Sequence, residues 1–145
     1  MHAFPSEQSV RMADMHDMQQ AVALMHRLAD AAASATLPHF RNLEAVDSKG
    51  ENGFDPVTVA DRGAEAVMRS LIEEVFPDDG IIGEEYGMDR PEADAVWVLD
   101  PIDGTRAFVA GLPSWGTLLA RIARGVPRVC MRAPPFTRDR VWSAR

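Results

Sequence analysis

One stretch decides the fold: Val96-Trp97-Val98-Leu99-Asp100-Pro101-Ile102-Asp103-Gly104-Thr105. Val96 to Leu99 is a short, β-prone apolar run that is typical of a buried strand. Asp100-Pro101 is predicted to end this strand, because proline cannot donate to the next rung of a sheet. Asp100 is thereby placed at the carboxyl end of a strand, and a second carboxylate, Asp103, follows three positions later. Two acids held so close repel each other, so a cation between them would explain the pattern.

The residues after this strand have the chemistry of a tight turn that opens a short helix, predicted over Thr105 to Ala110. The first backbone N–H groups of such a helix would point toward the carboxylates. Carboxylate oxygens suit Mg²⁺, which proteins usually hold through one or two carboxylates together with phosphate oxygens of the substrate. A plain surface turn explains the same residues, because Asp-Pro and Asp-Gly are common turn dipeptides. From spacing alone, the plain turn is the favoured interpretation.

The composition is that of a globular protein of one domain. The chain has 145 residues, of which 46% are hydrophobic and 26% are charged, which is enough to bury a core. No apolar run is long enough to span a bilayer, and no basic segment precedes an apolar one near the start, so we expect neither a membrane partner nor a secretory signal. The single cysteine, Cys130, cannot form an internal disulfide, which agrees with a cytoplasmic location.

Charge is distributed unevenly along the chain. The formal net charge is −7, yet residues 121–145 hold seven arginines and one acid, so the acidic excess lies in residues 1–120. This acidic body argues against nucleic-acid binding, and it would repel a phosphorylated substrate unless metal ions intervened. The arginines are spaced among strand-like residues rather than clustered, which favours solvated strand faces over a nucleic-acid patch.

Two amphipathic helices and several short strands are predicted after a flexible leader at residues 1–11. Apolar residues recur at helical spacing from Met15 to about Thr36, and again from Ala64 to Val75. Thr58 and Asp61 fit a capping pair at the start of the second helix. Strands are predicted at 81–85, 96–99, 115–123, 126–131 and 141–144, with polar connections at 43–56 and 88–95.

The predicted strand at 81–85 ends on two adjacent acids, Glu84 and Glu85. Alone, these acids would be read as surface charge. Because two strand ends deliver carboxylates, we expect Glu84, Asp100 and Asp103 to converge closely enough to share one cation. Without metal, at least one of these carboxylates should then have a raised pKa, because like charges disfavour ionisation.

Three segments resemble, in order and spacing, the signature of the inositol monophosphatase family of Mg²⁺-dependent phosphomonoesterases. They are Gly83-Glu84-Glu85, Trp97 to Thr105 with Phe108 after it, and the upstream stretch from Asp55 to Asp61. Together these motifs overturn the plain-turn interpretation. The resemblance covers Met15 to the last residue and implies an α+β fold, a layered αβαβα sugar-phosphatase-like sandwich. Residues 12–145 would be its amino-terminal half, with two helices packed on a mainly antiparallel sheet, and its carboxyl-terminal α/β half would be absent.

The resemblance also implies roles for individual residues. It implies a set of Mg²⁺ ligands at the two strand ends: Glu84, Asp100, Asp103 and the backbone carbonyl of Ile102. It implies a substrate-binding set around the following turn: Asp103, Gly104 and Thr105. It implies a catalytic set of Asp61, Thr105 and Glu84, in which Asp61 and Thr105 help to activate the attacking water. The implied reaction is direct in-line attack of this water on a small phosphomonoester, without a phosphoenzyme.

The segments 106–118 and 135–140 look more like the histidinol-phosphate phosphatase branch than the inositol branch, so the expected substrate is histidinol phosphate or inositol monophosphate.

Family members carry a further metal-binding aspartate in a second half, which leaves two hypotheses open. In the first, the chain is a phosphatase, or the amino-terminal half of one that is inactive as this truncated chain. In the second, it is a non-catalytic remnant that serves as a metal-binding or dimerisation module. An exposed sheet edge and an open apolar face would favour a homo-oligomer.

Overall fold

The computed structural model describes residues 7–42, 56–137 and 140–144. Within these residues the helices are α1 (Glu7–Thr36), a short 3₁₀ helix (Leu37–His39), α2 (Pro56–Val75) and α3 (Thr105–Val109). The strands are β1 (Gly80–Gly83), β2 (Gly87–Asp89), β3 (Ala95–Asp103), β4 (Gly116–Ala123), β5 (Val126–Ala133) and β6 (Val141–Ala144). None of the helices in these ranges is both long enough and apolar enough to cross a bilayer.

The six strands form one sheet in the order β2-β1-β3-β4-β5-β6. β1 and β3 are parallel, and the other neighbouring strands are antiparallel. The predicted α+β architecture with a mainly antiparallel sheet is therefore confirmed. The one parallel pair matters most for the site, because parallel strands end at the same edge of a sheet.

Helices α1 and α2 pack together on one face of this sheet. Most of their inward side chains are apolar and fully or almost fully buried, and they meet the strand side chains that alternate toward the same face. The central members of this core are Leu24, Met25, Leu28, Met68, Ile72, Trp97, Leu119 and Met131. On the opposite face the intervening side chains, such as Val98, Leu118 and Ile122, are only half-buried.

Strand β3 is longer than predicted, because it continues past Asp100 and Pro101 to Asp103. The pairing with β4 is irregular between Asp100 and Asp103. Such a bulge accommodates proline, which has no N–H to contribute to the ladder. The Thr117 hydroxyl donates to the Pro101 carbonyl oxygen at 2.9 Å. The prediction that Asp100-Pro101 ends the strand is thus wrong, and both aspartates belong to β3.

Both long helices begin earlier than predicted. Residues 7–11 of the predicted leader belong to α1, and residues 1–6 lie outside the described part of the chain. The described side chains of residues 7–16 are exposed, so no apolar periodicity marked this part of the helix. α2 begins at Pro56, a favourable residue for a first helical position. Asp61 consequently lies inside the helix, and the predicted capping pair with Thr58 is wrong.

The region after α2 also differs in detail from the prediction. β1 ends at Gly83, and residues 84–86 form a turn rather than the end of a strand. The predicted connection at 88–95 contains part of β2, a strand of three residues at the edge of the sheet. A strand this short shows no measurable alternation of polar and apolar residues, so its sequence gives no signal.

A buried arginine connects α1 to the sheet. The Arg121 Nε donates to Asp79 Oδ2 at 2.8 Å, and its Nη1 donates to Asp17 Oδ2 at 2.6 Å. The Trp97 indole N–H also donates to Asp79 Oδ2, at 2.8 Å. Burial alone would lower the pKa of Arg121, but hydrogen bonds to the two aspartates outweigh that effect and raise it. The guanidinium therefore remains charged and paired.

Substitution of Arg121 with methionine is expected to lower the free energy of unfolding by about 3 kcal/mol, because it leaves Asp79 as a buried charge without its cation. Asp79 is 8% exposed, so water cannot replace the lost partner. The control is Arg27→Met, which removes an exposed pair with Glu74 at 3.7 Å and should change stability by less than about 1 kcal/mol. Urea unfolding measures both variants. An equally small loss in the free energy of unfolding for the two would contradict the expectation.

Candidate active site

The predicted site residues lie at the edge where the parallel strands β1 and β3 end. Gly83 of β1 is the register partner of Leu99 of β3, so Glu84 and Asp100 follow equivalent positions on neighbouring strands. Asp103 ends β3 beyond the bulge. The topology thus delivers three of the predicted metal ligands to one edge of the sheet.

Asp100 is held in an environment that disfavours its charge. Its Oδ1 is buried and has no hydrogen-bond partner among the described residues. Burial and, after it, the negative charges of Glu84 and Asp103 together raise the pKa of Asp100 from 3.8 to about 6, against a backbone hydrogen bond from Ile102 that lowers it. This matches the effect expected of like charges held together. Asp100 is therefore within electrostatic reach of both Glu84 and Asp103.

Asp61 projects from α2 toward the same acids. The neighbouring α2 residues Val57 and Ala60 pack with Ile102 of β3 and with the aromatic residues Phe108 and Trp115. Asp61 is 7% exposed, and its Oδ1 has no hydrogen-bond partner in the described part of the chain. Burial, followed by the negative charges of Glu85, Asp100, Glu84 and Glu65, raises the pKa of Asp61 from 3.8 to about 7. A second orphaned carboxylate oxygen thus faces this edge.

The turn between β3 and α3 requires glycine. Gly104 has a φ of 89°, which an L side chain rarely adopts, and α3 begins at the next residue. The Thr105 hydroxyl donates to the Ile102 carbonyl oxygen at 3.3 Å. The structure therefore brings Thr105 to Ile102. The Thr105 hydroxyl thus donates to Ile102 and not to Asp61, the residue with which Thr105 is predicted to act.

The oxygen atoms available as ligands at this edge fit a hard divalent cation. Asp61 and Asp100 each leave one buried carboxylate oxygen without a donor, and the Ile102 carbonyl has a second lone pair beside the one that Thr105 uses. Carboxylate and carbonyl oxygens are the ligands that Mg²⁺ and Ca²⁺ prefer. Among the described residues no three acidic, histidine or cysteine side chains are already arranged as a metal site. Convergence of Glu84, Asp100 and Asp103 on one cation therefore stays a prediction.

Sequence reasoning missed a further acid, Glu65 of α2, which is fully buried. Its carboxylate accepts hydrogen bonds from the Glu85 N–H at 2.7 Å and from the Arg69 Nε at 2.8 Å. One signal was present in the sequence: Glu65 follows Asp61 by four residues, so the two acids share one face of α2. Apolar periodicity obscured that signal, because Ala64 and Met68 account for the inward face of the helix.

The raised pKa values predict that the metal-free fold loses stability as pH rises. Asp61 and Asp100 titrate near 7 and 6 in the folded chain, against 3.8 unfolded. The folded state thus holds protons that the unfolded state releases above about pH 4, and the resulting stabilisation disappears as pH rises through 6 to 7. Asp61→Asn should therefore raise the free energy of unfolding by about 2 kcal/mol near pH 8 and by little near pH 4.

Urea unfolding at both pH values measures this difference, with Asp78→Asn in the exposed turn before β1 as the control. Added Mg²⁺ should stabilise the wild-type chain more than Asp61→Asn near pH 8, because a cation compensates the same charges. A wild-type chain whose stability does not fall between about pH 4 and pH 8 would contradict this expectation.

Comparison with known proteins agrees with the family resemblance of the sequence motifs. The model of the inositol monophosphatase family matches residues 17–145. The chain is 40% identical over 119 residues to a histidinol-phosphatase of Mycobacterium tuberculosis, covering 81% of this chain and 45% of that protein. It is 38% identical over 126 residues to the chloroplastic bifunctional phosphatase IMPL2 of Arabidopsis thaliana, covering 86% of this chain and 36% of that protein.

Solved structures show the same fold. An inositol monophosphatase from Zymomonas mobilis superimposes with a TM-score of 0.74 at 44% identity, covering 87% of this chain and 47% of that one. The Thermotoga maritima IMPase superimposes with a TM-score of 0.70 over 86% of this chain and 48% of that one, at 24% identity, which supports the fold alone. This chain thus spans about half the length of the proteins it matches. On the family match and these identities, the chain belongs to the inositol monophosphatase family.

Proposed function

We propose that this chain carries the metal- and phosphate-binding part of a Mg²⁺-dependent phosphomonoester hydrolase. One observation carries the proposal: Asp61 and Asp100 each present a buried carboxylate oxygen without a donor, at the edge where β1 and β3 also deliver Glu84 and Asp103. A bound cation would satisfy these oxygens and offset the repulsion among the acids. Glu84, Asp100, Asp103 and the carbonyl of Ile102 would hold it.

Each side chain then has a task in hydrolysis. Bound Mg²⁺ would supply charge neutralisation of the phosphate and a lowered pKa of the attacking water. Asp61, which presents a buried carboxylate oxygen without a hydrogen-bond donor, would accept the proton of that water as a general base. Thr105 would orient the water through its hydroxyl, and Gly104 would bind the phosphate, as the family resemblance implies. Attack on phosphorus forms one P–O bond as the ester P–O bond breaks, and the alcohol leaves.

The proposed substrate is histidinol phosphate or inositol monophosphate, both phosphate esters of small polar alcohols. The first is supported by 40% identity to the M. tuberculosis histidinol-phosphatase. The second is supported by 44% identity to the Z. mobilis inositol monophosphatase. The names of these relatives support a phosphatase, and an assay must decide between the two alcohols.

We further propose a cytoplasmic homo-oligomer that does not bind nucleic acid. The net charge of −7 opposes binding to a polyanion. Strand β2 lies at one edge of the sheet, and apolar side chains such as Val98 and Ile122 are only half-buried on the face opposite the helices. Exposed edges and apolar faces promote association, and analytical ultracentrifugation would measure it.

A chimera tests the proposed activity. In it, this chain replaces the matched part of the M. tuberculosis histidinol-phosphatase, so that the remaining half of a phosphatase is present. We expect Mg²⁺-dependent release of phosphate from histidinol phosphate, from inositol 1-phosphate or from both. A folded chimera that binds Mg²⁺ but hydrolyses neither ester would contradict the proposal and would favour a non-catalytic metal-binding module.

A further inference from the structure

We propose that Glu65 is a positioning residue whose carboxylate holds the turn at residues 84–86 in place, and with it the acid Glu84. The inference rests on the proposed function, because Glu84 is one of the proposed Mg²⁺ ligands. Glu65 lies on α2 and has no exposed surface. Its carboxylate reaches across to the turn that follows β1, so one buried side chain joins the helix to the edge of the sheet where the acids collect.

The hydrogen bonds of Glu65 go to the backbone of this turn. Glu65 Oε2 accepts from the Glu85 N–H at 2.7 Å, and Oε1 accepts from the Tyr86 N–H at 3.2 Å. Two successive backbone donors are thereby bound by one carboxylate. These bonds are directional, so they restrict the direction in which the chain leaves β1, and therefore the position of Glu84.

A neighbouring arginine, Arg69, also binds to this part of the chain. Arg69 Nε donates to Glu65 Oε1 at 2.8 Å, and its Nη2 donates to the carbonyl oxygen of Gly87. The guanidinium carbon also lies 5.9 Å from the centre of the Tyr86 ring. α2 therefore binds the turn through Glu65, at residues 85 and 86, and the residue that follows the turn through Arg69.

The glycine before the turn is explained by the same carboxylate. A Cβ atom at Gly83 would lie 2.0 Å from Glu65 Oε1 and 2.3 Å from Glu65 Cδ, which are impossible distances. Gly83 has no positive φ, so its backbone conformation does not demand glycine. The glycine of the Gly83-Glu84-Glu85 motif is thus required by close packing against Glu65.

A role limited to fold stability makes a different prediction from positioning. A purely structural Glu65 would change the free energy of unfolding when substituted, but it would leave the metal affinity of the folded chain unchanged. A positioning Glu65 affects the order of the turn and the metal affinity together. Partners that orient metal ligands in this way typically alter affinity by about 10- to 100-fold when they are substituted.

The experiment compares Glu65→Gln with Glu73→Gln in the 145-residue chain. Glutamine keeps the shape of Glu65 but turns one acceptor oxygen into a donor, so at least one backbone N–H of the turn loses its partner. Glu73 is exposed on the same helix, so its substitution removes an equal charge. The readouts are amide hydrogen exchange at Glu85 and Tyr86 without metal, and the Mg²⁺ dissociation constant from calorimetric titration.

We expect Glu65→Gln to speed exchange at these two amides by about tenfold and to weaken Mg²⁺ binding by about tenfold, with Glu73→Gln unchanged in both. If Glu65→Gln does not fold, Gly83→Ala replaces it in the experiment, because the added methyl group displaces the carboxylate while every charge is kept. The same faster exchange and weaker Mg²⁺ binding are expected. If the variant exchanges these amides and binds Mg²⁺ as wild type does, the positioning role of Glu65 is overturned, while the proposed metal site is unaffected. A wild-type chain that binds no Mg²⁺ would refute the proposed metal site, and this inference with it.

Discussion

Replacement of Asp100 by asparagine is expected to lower Mg²⁺ affinity and phosphate release by at least about a hundredfold, and up to about a thousandfold for the rate. Asp100 is the acid whose buried Oδ1 lacks a donor and whose pKa is raised to about 6 by burial and by Glu84 and Asp103. These properties make Asp100 a carboxylate that gains from a bound cation. Asparagine keeps its shape but contributes no charge.

The same substitution should not unfold the chain. Near pH 8 it removes one of three mutually repelling charges, so the metal-free variant should be at least as stable as wild type, as is common when a strained site is simplified. Calorimetric titration with Mg²⁺ measures the affinity, and the chimera measures the rate. Asp78→Asn, in the exposed turn before β1, is the control. A folded Asp100→Asn variant that binds Mg²⁺ within about twofold of wild type would show that Asp100 is not a ligand.

The 145-residue chain alone is expected to release phosphate at least about a thousandfold more slowly than the chimera, because several transition-state contacts are lost together. The chain covers 45% of the M. tuberculosis histidinol-phosphatase. By the family resemblance, the rest of that protein would supply another metal-binding aspartate and much of the substrate pocket. With one ligand fewer, the chain should also bind Mg²⁺ more weakly.

Phosphate release by the two proteins is compared at equal concentration, after each is shown to be folded by circular dichroism. Sedimentation shows whether the chain is a monomer, which excludes contacts supplied by a second copy. Activity of the verified monomer close to that of the chimera would contradict the expectation.

The arrangement of the strands around the candidate site was predictable because the acids follow these strands directly or closely in sequence. Asp100 directly follows the β-prone run 96–99 and Asp103 comes three residues later, while Glu84 follows a second such run, so pairing of the two strands places these acids at one edge of the sheet. The parallel pairing of β1 with β3 supplies this arrangement. Buried helix faces were predictable for the same reason, because α1 and α2 each bury a stripe of apolar residues at helical spacing.

Other features depend on contacts between distant residues and leave little trace in local sequence. Glu65 occupies a helix position that reads as ordinary, and its partners at Glu85 and Tyr86 lie about twenty residues further along the chain. The continuation of β3 through Pro101 depends on a bulge opposite β4. The first turns of α1 are exposed, so they lack the pattern by which the rest of the helix was recognised.

A titration of the isotope-labelled chain with Mn²⁺, followed by nuclear magnetic resonance, tests most directly whether the acids at the ends of β1 and β3 form a metal site. Bound Mn²⁺ broadens the signals of nearby amides, and Mg²⁺ competing for the same site restores them. We expect the amides of Glu84 and of residues 100–105 to broaden first, and Mg²⁺ to reverse the effect. Broadening that begins instead at another acidic surface, such as Asp78 or residues 92–94, would contradict a metal site at this edge.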